Sequence, residues 1–223
     1  YVGRLLPKEE GRYCVGPDTA IRFPARVRKS TLEGVQPGDK IRFSVQWKEE
    51  ELVASAVTVY GSADSAKVCA DAIVDSMGIP TVFPGEVLAA AQKLEQAGIS
   101  AEELKGREDF RDSLVFTIDG KDAKDLDDAV SLEPSEDGGW VLGVHIADVS
   151  HYVQAKSPLD KEALLRGTSV YFADRVIPML PPALSNGICS LHPATDKLTL
   201  SALLYYDGDF RFQKSRLVKS VIN

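Results

Sequence analysis

The strongest constraint on the fold is a short segment in which five aspartates fall within ten residues, between two apolar runs. The runs predict β-strands over Leu114–Ile118 and Ala129–Leu132. The aspartates between them are Asp119, Asp122, Asp125, Asp127 and Asp128. Because like charges this close repel, the strands must present the loop where a cation can neutralise it. Mg²⁺ prefers carboxylate, water and phosphate oxygens, so the loop indicates a magnesium site.

Two other kinds of structure could carry such an acidic loop. A calcium-binding EF-hand needs oxygen ligands at its first, third and fifth positions and glycine at the sixth. Lys121 and Ala123 occupy the third and fifth positions when the loop starts at Asp119, which excludes this interpretation. An acidic surface turn without a ligand stays open from the loop alone. One or two Mg²⁺ ions here would suit phosphodiester hydrolysis.

The first 62 residues predict a small β-barrel. Apolar runs indicate strands over Tyr1–Leu6, Ala20–Val27, Lys40–Trp47 and Leu52–Tyr60, with a weaker one near Arg12–Val15. Gly-Pro-Asp and Pro-Gly-Asp punctuate these runs as turns. Five strands in this length suit an OB fold.

Arginines interleave with aromatic residues along this predicted barrel, and two interpretations stay open. They form a platform for single-stranded nucleic acid, with cations for phosphates and rings for bases, or the rings are core and the arginines solubilise the surface. Residues 1–62 hold ten basic and eight acidic side chains, whereas the rest carries a net charge of −9. The residues concerned are Arg4, Arg12, Arg22, Arg26, Arg28, Tyr13 and Phe23.

The pattern of the remaining chain predicts an α+β region. Helices are expected over Ala63–Met77, Gly85–Ala97 and Leu159–Arg166, and strands over Trp140–Ala147, Leu198–Tyr206 and Phe210–Leu217. We expect an OB domain at 1–62, a helical linker and lead-in at 63–112, and a further domain at 113–223. The chain lacks an initiator Met, which we interpret as a fragment of a longer protein.

A family resemblance is carried by long, ordered stretches of sequence. FTIDGKDAKDLDDAV, GVHIADVSHYV, residues 157–193 and DKLTLS resemble the RNB catalytic domain of the ribonuclease II/R family, most like its bacterial ribonuclease R branch. IRFSVQW and LVASAVTVYG resemble the second cold-shock (OB) domain of that family. The resemblance implies that the domain at 1–62 is cold-shock-like and that the domain at 113–223 is the first part of a catalytic domain. It implies a processive 3′→5′ exoribonuclease that hydrolyses single-stranded RNA to 5′-mononucleotides.

The resemblance also implies roles for matching residues. The four active-site aspartates fall on Asp119, Asp125, Asp127 and Asp128. Asp119 and Asp128 are expected to bind Mg²⁺, or Mn²⁺ as the alternative, while Asp125 supports the site and Asp127 contacts the terminal nucleotide. Tyr171 is expected to stack on a base near the RNA 3′ end; the alternative is a half-buried strand tyrosine. A non-catalytic RNA-binding protein of the same fold and a DNA-acting phosphodiesterase remain alternative functions.

Other candidate sites are weaker. His145, Asp148 and His151 have spacing that suggests zinc, although His145 in an apolar strand is better explained as a core histidine. Cys189 has no evident base to activate it as a nucleophile. Cys14, Cys69 and Cys189 are odd in number and far apart, which indicates a reducing cytoplasm. We expect single-stranded RNA as the partner, with no membrane and no obligate protein partner.

Overall fold

The computed structural model describes residues 1–8, 12–18, 25–48 and 51–223. The chain forms two compact units: residues 1–81 with 171–175, and residues 82–170 with 176–223. Together they confirm the predicted α+β class, with a small closed barrel and a mixed α/β unit.

The first unit contains a closed five-stranded barrel. Its strands are β1 (Val2–Leu5), β2 (Cys14–Pro17), β3 (Ala25–Val27), β4 (Asp39–Lys48) and β5 (Glu51–Ser62). They pair in the order β1-β2-β3-β5-β4, and β4 returns to β1. All pairings are antiparallel except β3 with β5. The five-stranded barrel predicted from the turn-punctuated runs is therefore present.

Apolar side chains from alternating strand positions fill the barrel interior. The buried side chains are Leu5, Val15, Ala25, Val27, Ile41, Phe43 and Ala54. Tyr13 is partly buried and packs against this core. Of the predicted strand Ala20–Val27, residues 20–24 lie outside the described part of the chain, as do Arg22 and Phe23.

Helix α1 (Ala66–Ser76) packs on the barrel rather than standing apart from it. The Ser65 side chain caps its first turn by accepting a hydrogen bond from the Val68 N–H. Near the other end, Asp75 accepts hydrogen bonds from Arg42 of β4 and Tyr60 of β5. The contacts group residues up to Thr81 with the barrel. The predicted domain limits at 62 and 112 stay a prediction.

The second unit is built on a six-stranded sheet with short helices. The strands are β6 (Glu108–Asp109), β7 (Val115–Phe116), β8 (Asp128–Pro134), β9 (Trp140–Ala147), β12 (Lys197–Tyr206) and β13 (Phe212–Ile222). They lie in the order β6-β13-β12-β9-β8-β7, antiparallel except for β6 with β13. The helices are α2 (Gly85–Ala97), α3 (Val149–Tyr152) and α4 (Pro158–Arg166), with a π-helical turn at Leu184–Ile188.

The hydrophobic core of this unit lies on one face of the sheet. Val87 and Ala91 of α2, Tyr152 of α3 and Leu159 of α4 are buried there. Sheet residues Ala129, Ala147 and Leu198 complete it, with Leu184, Cys189 and Leu191 from the segment before β12. On the opposite face Ile146 and Leu200 are exposed, in register with Asp128 of β8.

A short hairpin, β10 (Val170–Tyr171) with β11 (Val176–Ile177), carries the predicted RNA-stacking tyrosine. Its tip, residues 171–175, belongs to the first unit, where Arg175 forms an ion pair with Asp71 of α1. In the described residues, no helix is long and apolar enough to cross a membrane.

Candidate functional site

The second half of the acidic loop is tied to the body of its unit by backbone hydrogen bonds. The Leu126 N–H donates to Ser190 Oγ at 3.0 Å, and the Ser190 hydroxyl donates to the Lys124 carbonyl at 2.8 Å. The Leu191 N–H donates to the Leu126 carbonyl at 2.8 Å. Farther along, the Ala147 N–H donates to the Asp127 carbonyl at 3.0 Å. These bonds hold residues 124–127 against two neighbouring segments.

This tethering decides which way the side chains of the loop face. Leu126 is partly buried and packs against the core of the unit. Asp125 on one side of it is half-buried, and Asp127 on the other is exposed. Asp128 is the first residue of β8, opposite Ile146 of β9, and it is exposed while the next residue, Ala129, is buried. The carboxylates thus lie on the solvent side of a chain anchored by its apolar residues.

The first half of the loop is held less firmly. Asp119 is exposed and follows the end of β7 by three residues. A turn closed by the Ala123 N–H donating to the Gly120 carbonyl at 3.0 Å comes next, and Asp122 is exposed within it. Asp119 therefore lies directly before a turn that one hydrogen bond closes. Asp125, Asp127 and Asp128 lie in the part of the chain that is held by the sheet and by Ser190.

The electrostatics of the loop single out Asp127. Partial desolvation raises the pKa of its carboxyl, and repulsion from the charges of Asp125, Asp128 and Asp119 raises the pKa further. These are the four aspartates that the family resemblance implies, and Asp122 is not among the groups acting on Asp127. The structure therefore brings the other three predicted aspartates within electrostatic reach of Asp127. Their separate roles stay a prediction.

The donor chemistry of this cluster suits a hard cation. All four side chains offer carboxylate oxygens, and mutual repulsion makes a neutralising cation favourable. Across the described residues, no three His, Cys, Asp or Glu side chains stand together as a ready-made metal site. Mg²⁺ commonly takes one or two carboxylates and completes its shell with water and substrate phosphate. The two predicted ligands, Asp119 and Asp128, fit that pattern.

Tyr171 is well exposed at the end of β10, with 63 % of its surface accessible. This exposure argues against the half-buried strand tyrosine that was its alternative interpretation. The stacking role itself stays a prediction.

His145, Asp148 and His151 do not converge on a common point. His145 is fully buried between Ser131 Oγ (3.0 Å from Nε2) and Ser201 Oγ (2.6 Å from Nδ1). Burial lowers its pKa, so the ring is a neutral core histidine. Asp148 pairs with Arg107, and His151 with Glu103. Each group already has a structural partner, which argues against the zinc interpretation.

Cys189 is buried, and burial raises the pKa of its thiol to about 12. A thiol that stays protonated at neutral pH is a poor nucleophile, in keeping with the sequence interpretation.

Sequence reasoning missed two features of this unit, of which the first supports the loop. Ser190 lies 64 residues from its partner Leu126, and nothing in the run CSLHP marks it as a loop anchor. The second is the buried ion pair of Arg107 with Asp148, 2.7 Å apart, just beyond the end of β9. Arg107 lies in the lead-in REDFRD, which was assigned only to a connection.

Comparison with known proteins bears directly on this unit. The RNB domain family matches residues 107–223, which span the acidic loop and the whole six-stranded sheet. The chain belongs to the RNB domain family. The match begins at Arg107, the residue that pairs with Asp148, and includes every predicted site residue. The resemblance inferred from the sequence is therefore confirmed.

The similarity to known proteins also covers the barrel. Ribonuclease R of Thermotoga maritima is 41 % identical over 217 residues, covering 94 % of this chain and 30 % of that protein. The structure of Mycoplasma genitalium RNase R in complex with ribose methylated single-stranded RNA matches all of this chain and 36 % of that one, with a TM-score of 0.83 and 29 % identity. The chain thus spans about a third of the length of these relatives. Yeast Ssd1, described as a pseudonuclease, shares the fold with a TM-score of 0.72 at 18 % identity.

Proposed function

We propose that this chain is the part of a metal-dependent 3′→5′ exoribonuclease that holds the catalytic aspartates. The whole protein would hydrolyse single-stranded RNA processively to 5′-mononucleotides. The observation that carries the proposal is the group of Asp119, Asp125, Asp127 and Asp128, in which the charges of the other three carboxylates act on Asp127 beside the start of β8. The membership of the RNB family and the likeness to ribonucleases R support it.

The roles proposed for the residues are those that the family resemblance implies. Asp119 and Asp128 are proposed as the direct ligands of Mg²⁺ or Mn²⁺, with Asp125, half-buried between tethered neighbours, as a support. The metal, when bound, supplies Lewis-acid stabilisation of the phosphate charge and favours attack by water. Asp127 is proposed to contact the terminal nucleotide. Tyr171 is proposed to stack on a base near the RNA 3′ end.

We propose further that the 223-residue chain alone does not degrade RNA processively. It spans about a third of its relatives, and hydrolysis needs positioned groups on every side of the scissile bond. Release of mononucleotides by the purified chain would overturn this part of the proposal.

A non-catalytic RNA-binding protein is the alternative of a different class, and Ssd1 illustrates that the fold occurs in a pseudonuclease. All four carboxylates are present in this chain. A binding protein gains nothing from an unneutralised acidic loop that faces phosphates, because the two repel. The charge of the loop therefore favours the enzyme. A DNA-acting phosphodiesterase is distinguished by comparing RNA and DNA oligomers of one sequence, since 2′-hydroxyl contacts separate them.

The decisive test pairs Asp127→Asn with Asp122→Asn in the whole protein. Both variants remove one carboxylate charge from the same loop, but only Asp127 belongs to the cluster. On 5′-labelled single-stranded RNA with Mg²⁺, Asp127→Asn should keep less than about a tenth of the wild-type rate with RNA binding largely intact. Asp122→Asn should degrade RNA nearly normally. Equal loss in both variants, or activity without divalent metal, would contradict the proposal.

A further inference from the structure

One buried serine holds the backbone on both sides of Asp125. The Ser190 hydroxyl is fully buried. It donates to the carbonyl of Lys124, the residue before Asp125, and accepts from the N–H of Leu126, the residue after it. The neighbouring Leu191 N–H donates to the Leu126 carbonyl. Three hydrogen bonds from two adjacent residues thus fix one turn of the acidic loop.

A hydroxyl is well suited to this task because it donates and accepts at one atom. Alanine in its place would leave the Lys124 carbonyl and the Leu126 N–H without their partner in a partly buried setting, which is costly. The loop would then shift to find new partners. Because Leu126 packs against the core, a shift there would re-aim both flanking carboxylates, those of Asp125 and Asp127.

The first half of the loop shows no comparable anchor among the described residues: only the turn bond between Gly120 and Ala123 holds residues 119–123 by backbone. A cation that binds to both halves of the loop would therefore need one half to be fixed before it binds. We propose that Ser190 is the positioning residue of the acidic site. It fixes the Asp125–Asp128 half of the loop before metal binding, and a divalent cation then draws Asp119 toward that half. This inference rests on the proposed metal site.

The test compares Ser190→Ala with Ser220→Ala in the whole protein without RNA. Ser220 is an equally buried serine in β13, hydrogen-bonded to Thr199 and Ser201, and it does not contact the loop. Binding of Mn²⁺, measured by electron paramagnetic resonance, should weaken by about 10- to 100-fold in Ser190→Ala, as expected for the loss of a supporting hydrogen bond. Ser220→Ala should lower the melting temperature and leave Mn²⁺ affinity unchanged.

A second readout needs no metal. Hydrogen exchange of the Leu126 amide, which Ser190 accepts from, should speed up by about tenfold or more in Ser190→Ala and stay unchanged in Ser220→Ala. If Ser190→Ala does not fold, Ser190→Cys keeps the shape with a weaker hydrogen-bonding group. Its Leu126 exchange should then speed up by a smaller factor.

The outcomes separate this inference from the proposed function. Mn²⁺ binding that is lost in Asp128→Asn but unchanged in Ser190→Ala would overturn the role of Ser190 alone. A wild-type protein that binds no Mn²⁺ would overturn the proposed metal site, and this inference with it. Equal weakening of Mn²⁺ binding in Ser190→Ala and Ser220→Ala would show a purely structural serine and overturn the inference.

Discussion

Tyr171 illustrates how exposure of a single residue separates a binding role from a packing role. Its ring is accessible at the end of β10, so replacing it removes little core contact. A ring that stacks on a base contributes about 1–3 kcal/mol to binding. On a long RNA this is a small share of many contacts, whereas a short RNA near the end of a processive run depends on it.

We therefore expect Tyr171→Ala in the whole protein to begin degradation normally and to leave a longer final oligonucleotide. Tyr171→Phe should behave like the wild type, because stacking needs the ring and not the hydroxyl. Gel analysis of the end products gives the measurement. An unchanged end product in Tyr171→Ala would refute the stacking role, and a large drop in its melting temperature would place the ring in the core after all.

In the second unit, a buried ion pair fixes the segment that precedes β6. Arg107 and Asp148 are 2.7 Å apart, with 3 % and 4 % of their side chains exposed. Arg107 also donates to the carbonyls of Thr199 and Ser220, so it joins the lead-in to β12 and β13. Burial alone would raise the pKa of Asp148, but the Arg107 guanidinium holds it below its usual value.

Removing Arg107 would leave the buried Asp148 carboxylate with only the more distant Lys219, 3.7 Å away, and the Ser150 hydroxyl as partners. We expect Arg107→Met to reduce the free energy of unfolding by about 3–5 kcal/mol. Arg111→Met is the matched control, because Arg111 pairs with Asp109 and Asp196 at the surface and its loss should matter little. Urea unfolding of both variants provides the comparison. Similar midpoints for the two would mean that burial does not set the strength of the pair.

The elements also show what a sequence can and cannot predict here. Helix α2 and strand β9 have the bounds expected from Pro84, Gly98 and the apolar run WVLGVHIA, because local signals define them. β13 extends to Ile222, five residues beyond the prediction, because its pairing with β12 continues past the apolar run. The aspartates of the site were found because they are adjacent in the chain. Ser190 and Arg107 bond to residues that are 64 and 41 positions away in the sequence, and no local sequence pattern predicts such contacts.

At the scale of the whole molecule, the net charge is −7, but residues 1–62 carry a net charge of +2, so the barrel is the part whose charge favours the RNA proposed as substrate. Several of the barrel's cations are already paired at the surface: Arg4 with Asp64, Arg42 with Asp75, and both Arg12 and Arg26 with Glu51. Exposed ion pairs are worth little, so RNA phosphates can compete for these arginines. The nucleic-acid platform and the solubilising surface remain the two interpretations of the barrel.

Glu51 offers a way to decide between them, because it holds Arg12 at 3.3 Å and Arg26 at 3.1 Å. If the barrel binds RNA, Glu51→Gln should release two guanidinium groups for phosphates. The affinity of the chain for single-stranded RNA should rise severalfold at low salt, and the plot of log K against log salt should steepen by up to about 1.4. Glu33→Gln makes the same change of charge elsewhere in this unit and should raise affinity less, with little change of slope. Fluorescence anisotropy across a salt series measures both quantities. Identical slopes for the two variants, or wild-type binding indifferent to salt, would assign the arginines to solubility and leave RNA recognition to the second unit.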